Sequence, residues 1–350
     1  MAGGYSARTA HENALRPASY MPAQSRVLSA LPASFIYGHS VLCYQSLATG
    51  DCIVQLPKFD VAMYLAAIER YKVNRLSGMP YLLHCLHCQT TKVSEGVVAL
   101  TSAPAHRFDV SSVKAIGCGG APLPSCQQQR YSEYFNGAPV VTGYGLTESS
   151  STIAGSSWQT PAPGAVGVLY PNSTAKVIDA EGLETTEFGE LCVSGPHITK
   201  GYIGRHTSPV DANGFLHTGD YARLDAHGNV FLGGRMADIV YSARGPISPV
   251  DIENVLFENL AVEDCAVASE GTKGQAVPVA YIVLVSALRT PGLLSDIETW
   301  LRERTGDSIA CREAFAIPKS PAGKVLRRML GQGLCGGDVL GFNSNDLPCE

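Results

Sequence analysis

Four stretches of the chain combine residue types that could hold a phosphorylated ligand. In Gly117-Cys118-Gly119-Gly120-Ala121-Pro122, small side chains let a flat molecule approach the backbone closely. A tight strand-to-helix turn would use the same residues. In Thr142-Gly143-Tyr144-Gly145-Leu146-Thr147-Glu148-Ser149, glycines flank a ring that could stack on a base. The Thr147 hydroxyl suits a phosphate oxygen and the Glu148 carboxylate suits Mg2+, although a turn with a helix-capping threonine reads equally well. In Gly214-Phe215-Leu216-His217-Thr218-Gly219-Asp220, the carboxylate could accept both hydroxyls of a ribose. Gly234-Arg235 follows it, and Arg235 could hold a phosphate or ribose oxygen. The alternative is a surface turn with a solvated arginine. In Ile317-Pro318-Lys319-Ser320-Pro321-Ala322-Gly323-Lys324-Val325-Leu326-Arg327-Arg328, prolines and a glycine shape a loop that presents Lys324. Such a lysine could bridge a carboxylate and an α-phosphate as charge develops between them, or simply belong to a solvated basic face.

Two weaker patterns are better explained without a ligand. His84-Cys85-Leu86-His87-Cys88 would put His84, His87 and Cys88 on one helix face, but no second ligand pair stands at zinc-finger spacing. Gly331-Gln332-Gly333-Leu334-Cys335-Gly336 spells G-x-G-x-x-G but opens no helix, so residues 331–350 read as a flexible tail.

These side chains need a scaffold, and the pattern of apolar residues supplies one. Short apolar runs at Val27–Leu31, Cys52–Gln55, Asn74–Ser77, Val113–Gly117 and Val140–Thr142 read as strands. Helical patterns at Ser40–Leu47, Val61–Tyr71 and Ser125–Phe135 alternate with them, which predicts a mostly parallel α/β sheet over residues 26–163. From Gly164 the runs shorten: Val166–Leu169, Ala175–Ile178, Gly189–Val193, Tyr221–Leu224 and Val230–Leu232, with a hairpin turn at Asp225–Asn229. That pattern predicts a small antiparallel sheet or barrel over 164–235. Helices Pro249–Glu258 and Leu293–Arg304 with strands Cys265–Ser269 and Pro278–Val285 make a compact α+β domain over 236–330.

The composition is that of a folded chain: 350 residues, 45% apolar and 16% charged. A net charge of −5 gives no pull toward nucleic acid or anionic lipid. No apolar run approaches the roughly 20 residues of a membrane helix. The 11 cysteines follow no framework spacing and read as reduced thiols. The start lacks a secretory pattern and the end lacks a Ser-Lys-Leu signal, so a cytoplasmic location is expected.

The order and spacing of the four stretches resemble the adenylate-forming superfamily of acyl-CoA synthetases, 4-coumarate-CoA-ligase-like enzymes, luciferases and adenylation domains. The resemblance runs from about Arg26 to Leu330 and includes Leu31-Pro32, Lys58-Phe59-Asp60, Ile68–Val73, Pro163–Gly167, Gly189-Glu190-Leu191, Gly195-Pro196 and Gly201-Tyr202. It implies a large AMP-binding domain over 1–235 and a mobile C-terminal domain over 236–330, with a hinge just after Arg235, around Ala237. It implies that Gly120, Ala121 and Pro122 line the adenine and acyl pocket and that Tyr144 lies against adenine, with Gly145 beside it. Thr147 would contact phosphate, Glu148 would hold Mg2+, Asp220 would bind ribose with help from Arg235, and Lys324 would be the adenylation lysine. Tyr37, Gly38, Gly143 and Gly145 would shape the acid pocket. The implied cofactors are ATP, Mg2+ and coenzyme A, and the implied partner is a small carboxylic acid. Amino-acid-activating relatives place a carboxylate near Phe35-Ile36-Tyr37-Gly38; none stands there, which favours an apolar or aryl acid.

Three departures bear on function. The family's Ser/Thr/Gly-rich phosphate loop should precede His11-Glu12-Asn13, and Gly3-Gly4-Tyr5-Ser6 is not a convincing remnant. Phe35 stands where coenzyme A ligases carry histidine. Ala237 replaces the hinge Asp or Lys, and the Lys-Gly pair of the thiol tunnel reads Ala243-Arg244, with Gly245 one place late. The expectation is therefore an acyl-CoA ligase of secondary metabolism. The alternatives are an impaired remnant that binds AMP, acyl-AMP or a partner, and an adenylating ligase with another acceptor.

Overall fold

A computed structural model describes residues 25–94, 97–100, 108–156, 164–204, 208–242, 244–271, 276–320 and 323–330, with backbone alone at 87–94 and 97–100. The polar opening stretch through residue 24, the side chains of His87 and Cys88, Ala243 and the tail at 331–350 lie outside what is described. The chain forms two compact units, Met1–Thr90 with Ser102–Leu232 and Thr91–Thr101 with Gly233–Glu350. No helix among the described residues is long and apolar enough to cross a membrane.

The first unit begins with β1 (Arg26–Ser29), a π-helix (Tyr37–Tyr44) that continues as α1 (Gln45–Thr49), β2 (Cys52–Gln55), α2 (Val61–Tyr71), β3 (Arg75–Gly78) and α3 (Pro80–Thr90). The hairpin of β4 (Thr91–Ser94) and β5 (Val97–Leu100) belongs to the second unit. The first unit resumes with β6 (Ala115–Gly119), α4 (Ser125–Tyr134) and β7 (Val140–Leu146). Then come β8 (Ser151–Gly155), β9 (Gly167–Leu169), β10 (Thr174–Ile178), β11 (Gly189–Ser194), β12 (Leu216–Leu224) and β13 (Asn229–Arg235), within which the first unit ends at Leu232 and the second resumes at Gly233.

Helix α2 shows how local rules set these elements. Asp60 caps its start by accepting the Met63 N–H at 2.9 Å, and Lys72 ends it in the left-handed region at φ 48°. Val61, Tyr64, Leu65 and Ile68 fall at helical spacing on one face, and all four are buried. Each such side chain contributes about 1.5–3 kcal/mol. They pack with Leu28, Leu76, Ile116 and Val140 from the strands. Every residue of β3 is buried, as a strand covered on both faces requires.

Among the described residues, eleven of these strands join in one sheet, ordered β10-β11-β12-β13-β9-β8-β7-β6-β3-β1-β2, apart from the β4–β5 hairpin. Pairs from β2 through β1, β3 and β6 to β7 are parallel. Strand β7 then pairs antiparallel with β8, which pairs antiparallel with β9. Both expected kinds of pairing occur, but hydrogen bonding makes them one sheet, and the switch falls at β7 rather than at Gly164. The helix expected at Ser40–Leu47 starts earlier, at Tyr37, and its first part is π-helical.

In the second unit, β14 (Val240–Ser242) pairs with β15 (Gly245–Ile247). Helix α5 (Pro249–Leu256) is capped by Ser248, which accepts the Asp251 N–H at 3.0 Å, and Pro249 occupies its first turn. A three-stranded sheet of β16 (Val262–Glu270), β17 (Val277–Leu284) and β18 (Ala310–Glu313) carries α6 (Leu293–Thr305) and the short α7 (Arg327–Leu330). One core gathers Ile252, Leu256, Ile282, Ile297 and Leu301; a second gathers Ala266, Val279, Tyr281, Ile317 and Leu330.

Candidate active site

The carboxyl end of β6 lies beside the middle of β7, with Gly119 opposite Gly143 and β7 running three residues further. That end of an open α/β sheet is where ligands bind. Both glycine-rich stretches sit deeper in the sheet than the sequence suggests. Strand β6 runs on through Gly119, so only Gly120, Ala121 and Pro122 form the turn beyond it. Strand β7 runs on through Leu146, so Gly143, Tyr144 and Gly145 are strand residues, not loop. The ladder hydrogen bonds to β8 extend it, with a bulge between Tyr144 and Gly145. At that bulge the strands approach so closely that a Cβ on Gly145 would lie 2.0 Å from the Ser151 carbonyl oxygen. Gly145 therefore has a packing reason to be glycine, independent of any ligand.

The bulge leaves Tyr144 buried, and its hydroxyl donates to Asp220 Oδ2 at 2.6 Å. This charge-assisted bond joins residues 76 apart in sequence. Asp220 is 7% exposed and lies within β12, not on the surface turn that its sequence context permits. The register explains its position: Glu190 faces Tyr221 and Cys192 faces His217, so β12 carries extra residues at 218–220. Gly219 takes φ 67° in that bulge, which glycine adopts without strain.

Thr147, Glu148 and Ser149 form a single 3-10 turn after β7. Thr147 is exposed and Glu148 half-buried. Tyr202 donates to Glu148 Oε1 at 2.6 Å, and the Glu148 carbonyl accepts the Thr199 N–H at 2.8 Å. An oriented carboxylate beside an exposed hydroxyl fits Mg2+, which keeps several waters and needs few protein ligands. Tyr37 sits on the π-helix and donates to the Gly117 carbonyl at 3.3 Å. Burial of its hydroxyl end holds the phenol above its ordinary range. Gly38 is buried one residue on, where a Cβ would meet the Pro32 carbonyl oxygen at 2.4 Å. The first unit thus brings Tyr37, Gly120, Gly143, Tyr144, Glu148 and Asp220 to the region around the β6 end, the adjacent β7 and one cross-strand pair.

The second unit holds the other candidates. Arg235 ends β13, and Ala237 lies in the turn Met236–Asp238; both are exposed. Lys324 is exposed on a hairpin-like loop. The loop closes through Ser320 N–H to the Lys324 carbonyl at 2.8 Å, Gly323 N–H to the Ser320 carbonyl at 2.7 Å and Leu326 N–H to the Pro318 carbonyl at 2.9 Å. On one flank, Lys319 pairs with Asp264. On the other, the Arg327 guanidinium reaches both oxygens of Glu253 at 2.8 Å, while Glu253 also accepts the Val267 N–H at 2.8 Å. Glu253 and Tyr202 escaped sequence reasoning because their partners lie 74 and 54 residues away. Of the possible ligand face of α3, His84 alone has a described side chain, since those of His87 and Cys88 are not described.

Residues 5–203 match the family model for the AMP-binding enzyme, and residues 251–324 match that for the AMP-binding enzyme C-terminal domain. The 4-coumarate–CoA ligase-like 9 of Arabidopsis thaliana is 32% identical over 323 residues, covering 87% of this chain and 53% of its own length. The o-succinylbenzoate CoA synthetase of Bacillus subtilis, solved with its acyl-adenylate intermediate, is 28% identical with a TM-score of 0.71, covering 92% of this chain and 64% of its own. The anthranilate CoA ligase AuaEII, solved with anthranoyl-AMP, has a TM-score of 0.80 at 20% identity, a likeness of fold covering 93% of this chain and 62% of its own. The chain spans about half the length of the curated relatives it matches.

Proposed function

Because the chain belongs to the AMP-binding enzyme family, we propose that it serves an ATP-dependent acid–thiol ligase acting on an apolar or aryl carboxylic acid. The observation that carries this reading is the buried Tyr144–Asp220 pair beside the carboxyl end of β6. Tyr144 hands its hydroxyl to Asp220, which fixes in one place the carboxylate that would meet ribose hydroxyls and the tyrosine that would lie near adenine. Gly120, Ala121 and Pro122 border the base, while Tyr37, Gly38, Gly143 and Gly145 border the acid. Thr147 meets phosphate oxygens, Glu148 takes one Mg2+ ligand position, and Arg235 supports the nucleotide. Mg2+, when bound, neutralises charge on the phosphates.

The acid's carboxylate attacks the α-phosphate, the bond to pyrophosphate breaks, and an acyl-adenylate remains. Lys324 holds the attacking carboxylate and the α-phosphate together as negative charge gathers between them. Rotation of the 236–330 domain about Ala237 would then bring the thiol of coenzyme A to the acyl carbon and release AMP.

Purified chain assayed for hydroxamate-trapped adenylation with a panel of aryl and aliphatic acids tests this. Turnover with an aryl acid is expected; the absence of both turnover and AMP binding by calorimetry would defeat the proposal. A second reading, adenylation with a non-CoA acceptor, is favoured by Phe35, which is 40% exposed where coenzyme A ligases resemble one another in carrying histidine. Replacing coenzyme A by amine acceptors in the same assay separates the two.

A further inference from the structure

The β12 bulge that carries Asp220 is closed by side chains rather than by the strand ladder. Its extra residues remove the backbone partners that β11 would otherwise offer. The Gly219 N–H donates to Glu190 Oε1 at 3.2 Å. Thr218 Oγ1 donates to the Leu191 carbonyl at 2.7 Å and accepts the Asp220 N–H at 3.1 Å. The other Glu190 oxygen, Oε2, is bound by His217 Nδ1 at 2.9 Å, so the imidazole carries its proton there. Asp211 Oδ2 faces the far ring nitrogen of His217 at 3.8 Å. One carboxylate therefore ties the residue that enters the bulge to the residue at its centre.

We propose that Glu190 and His217 are positioning residues that hold the bulge in the shape that aims Asp220 at its ligand and at Tyr144. The inference rests on the nucleotide-binding reading above, for which Asp220 is the ribose ligand. Glu190, Cys192 and His217 have ligand atoms within 4.8 Å of one another, a grouping that a cation could also fill. Here both Glu190 oxygens already accept protein hydrogen bonds, and burial pushes the Cys192 thiol up to about 11. The three side chains satisfy one another without an ion.

Two measurements test the brace. The first is AMP affinity by calorimetry. Glu190→Gln is expected to weaken AMP about tenfold, the size of one lost positioned hydrogen bond. His217→Ala should follow it, and His217→Asn, whose amide places a donor where Nδ1 stands, should stay near wild type. The second needs no ligand: nitration of Tyr144 by tetranitromethane, read by mass spectrometry against Tyr241, which is 67% exposed. Glu190→Gln and His217→Ala should raise Tyr144 nitration about threefold with the melting temperature kept, because the Asp220 cap loosens. Unchanged nitration in both variants overturns the brace whatever the nucleotide does. Asp220→Asn is the control for the reading beneath it: if AMP affinity survives that change, Asp220 is no ribose ligand, and the brace then stands or falls on nitration.

Discussion

In the first unit, Asp220 and Tyr144 are buried and bonded to each other; in the second, Lys324 stands exposed on a loop whose flanks are anchored by ion pairs. The two arrangements suit two kinds of work. A binding group gains from being fixed before its ligand arrives, because its ordering entropy is then absent from the binding step. A lysine that must meet charge only as it develops gains from a free head on a firm base. The anchoring also differs in kind. A bulge closed by neutral and singly charged side chains carries Asp220, whereas two ion pairs of low exposure hold the Lys324 loop.

The largest expected effect attacks the second arrangement. Arg327→Ala leaves Glu253 buried without its bidentate partner and should destabilise the second unit by about 3–5 kcal/mol in urea denaturation. A loss under 1 kcal/mol, by the same order-of-magnitude scale, would mean that the flank is not what holds the loop. Next, Lys324→Ala should lower the hydroxamate-trapped adenylation rate by about 100-fold or more with an unchanged unfolding midpoint. An unchanged rate removes the lysine from the chemistry and the contrast with it.

Two smaller effects probe the first unit. Tyr144→Phe deprives the Asp220 carboxylate of a buried donor and should cost about 1–3 kcal/mol in chemical denaturation, with weakened AMP binding. Equal stability would show that Asp220 is satisfied without the tyrosine. Asp109→Asn should have the smallest effect. The Lys72 ammonium, together with Ser111, holds the Asp109 carboxyl well below the usual carboxylate range. A depressed carboxylate stabilises above its unfolded pKa of about 3.9 and loses that contribution as pH falls through the folded value. The gap between wild type and Asp109→Asn should thus be visible at pH 7 in low salt and shrink in acid and in concentrated salt. A gap that persists in acid would point to a role other than charge.

Much of the scaffold was legible before any coordinates. Helix α2 follows from Asp60, the spacing of Val61, Tyr64, Leu65 and Ile68, and the stop at Tyr71, all within one local stretch. Strands β2 and β10 fall where short apolar runs put them. The π-helical start at Tyr37 was not legible, since no local periodicity marks an extra residue per turn. Nor was the length of β7 or β12, because Gly143, Gly145 and Gly219 read as turn residues until a partner strand claims them. Placing Asp220 on a surface turn is the natural local reading, and cross-strand pairing overrides it.

By itself, the sequence determined the inventory: strand–helix alternation, the order of the four stretches, the prolines and glycine that turn the Lys324 loop, and hence the family. Those features rest on propensities and periods that act over a few residues. The tertiary structure alone decided the pairings: Tyr144 with Asp220, Tyr202 with Glu148, Glu190 with His217 and Gly219, and Arg327 with Glu253. Each joins residues between 27 and 76 apart. No local rule reaches that far, because register and bulge are set by what the whole sheet and its core can bury together.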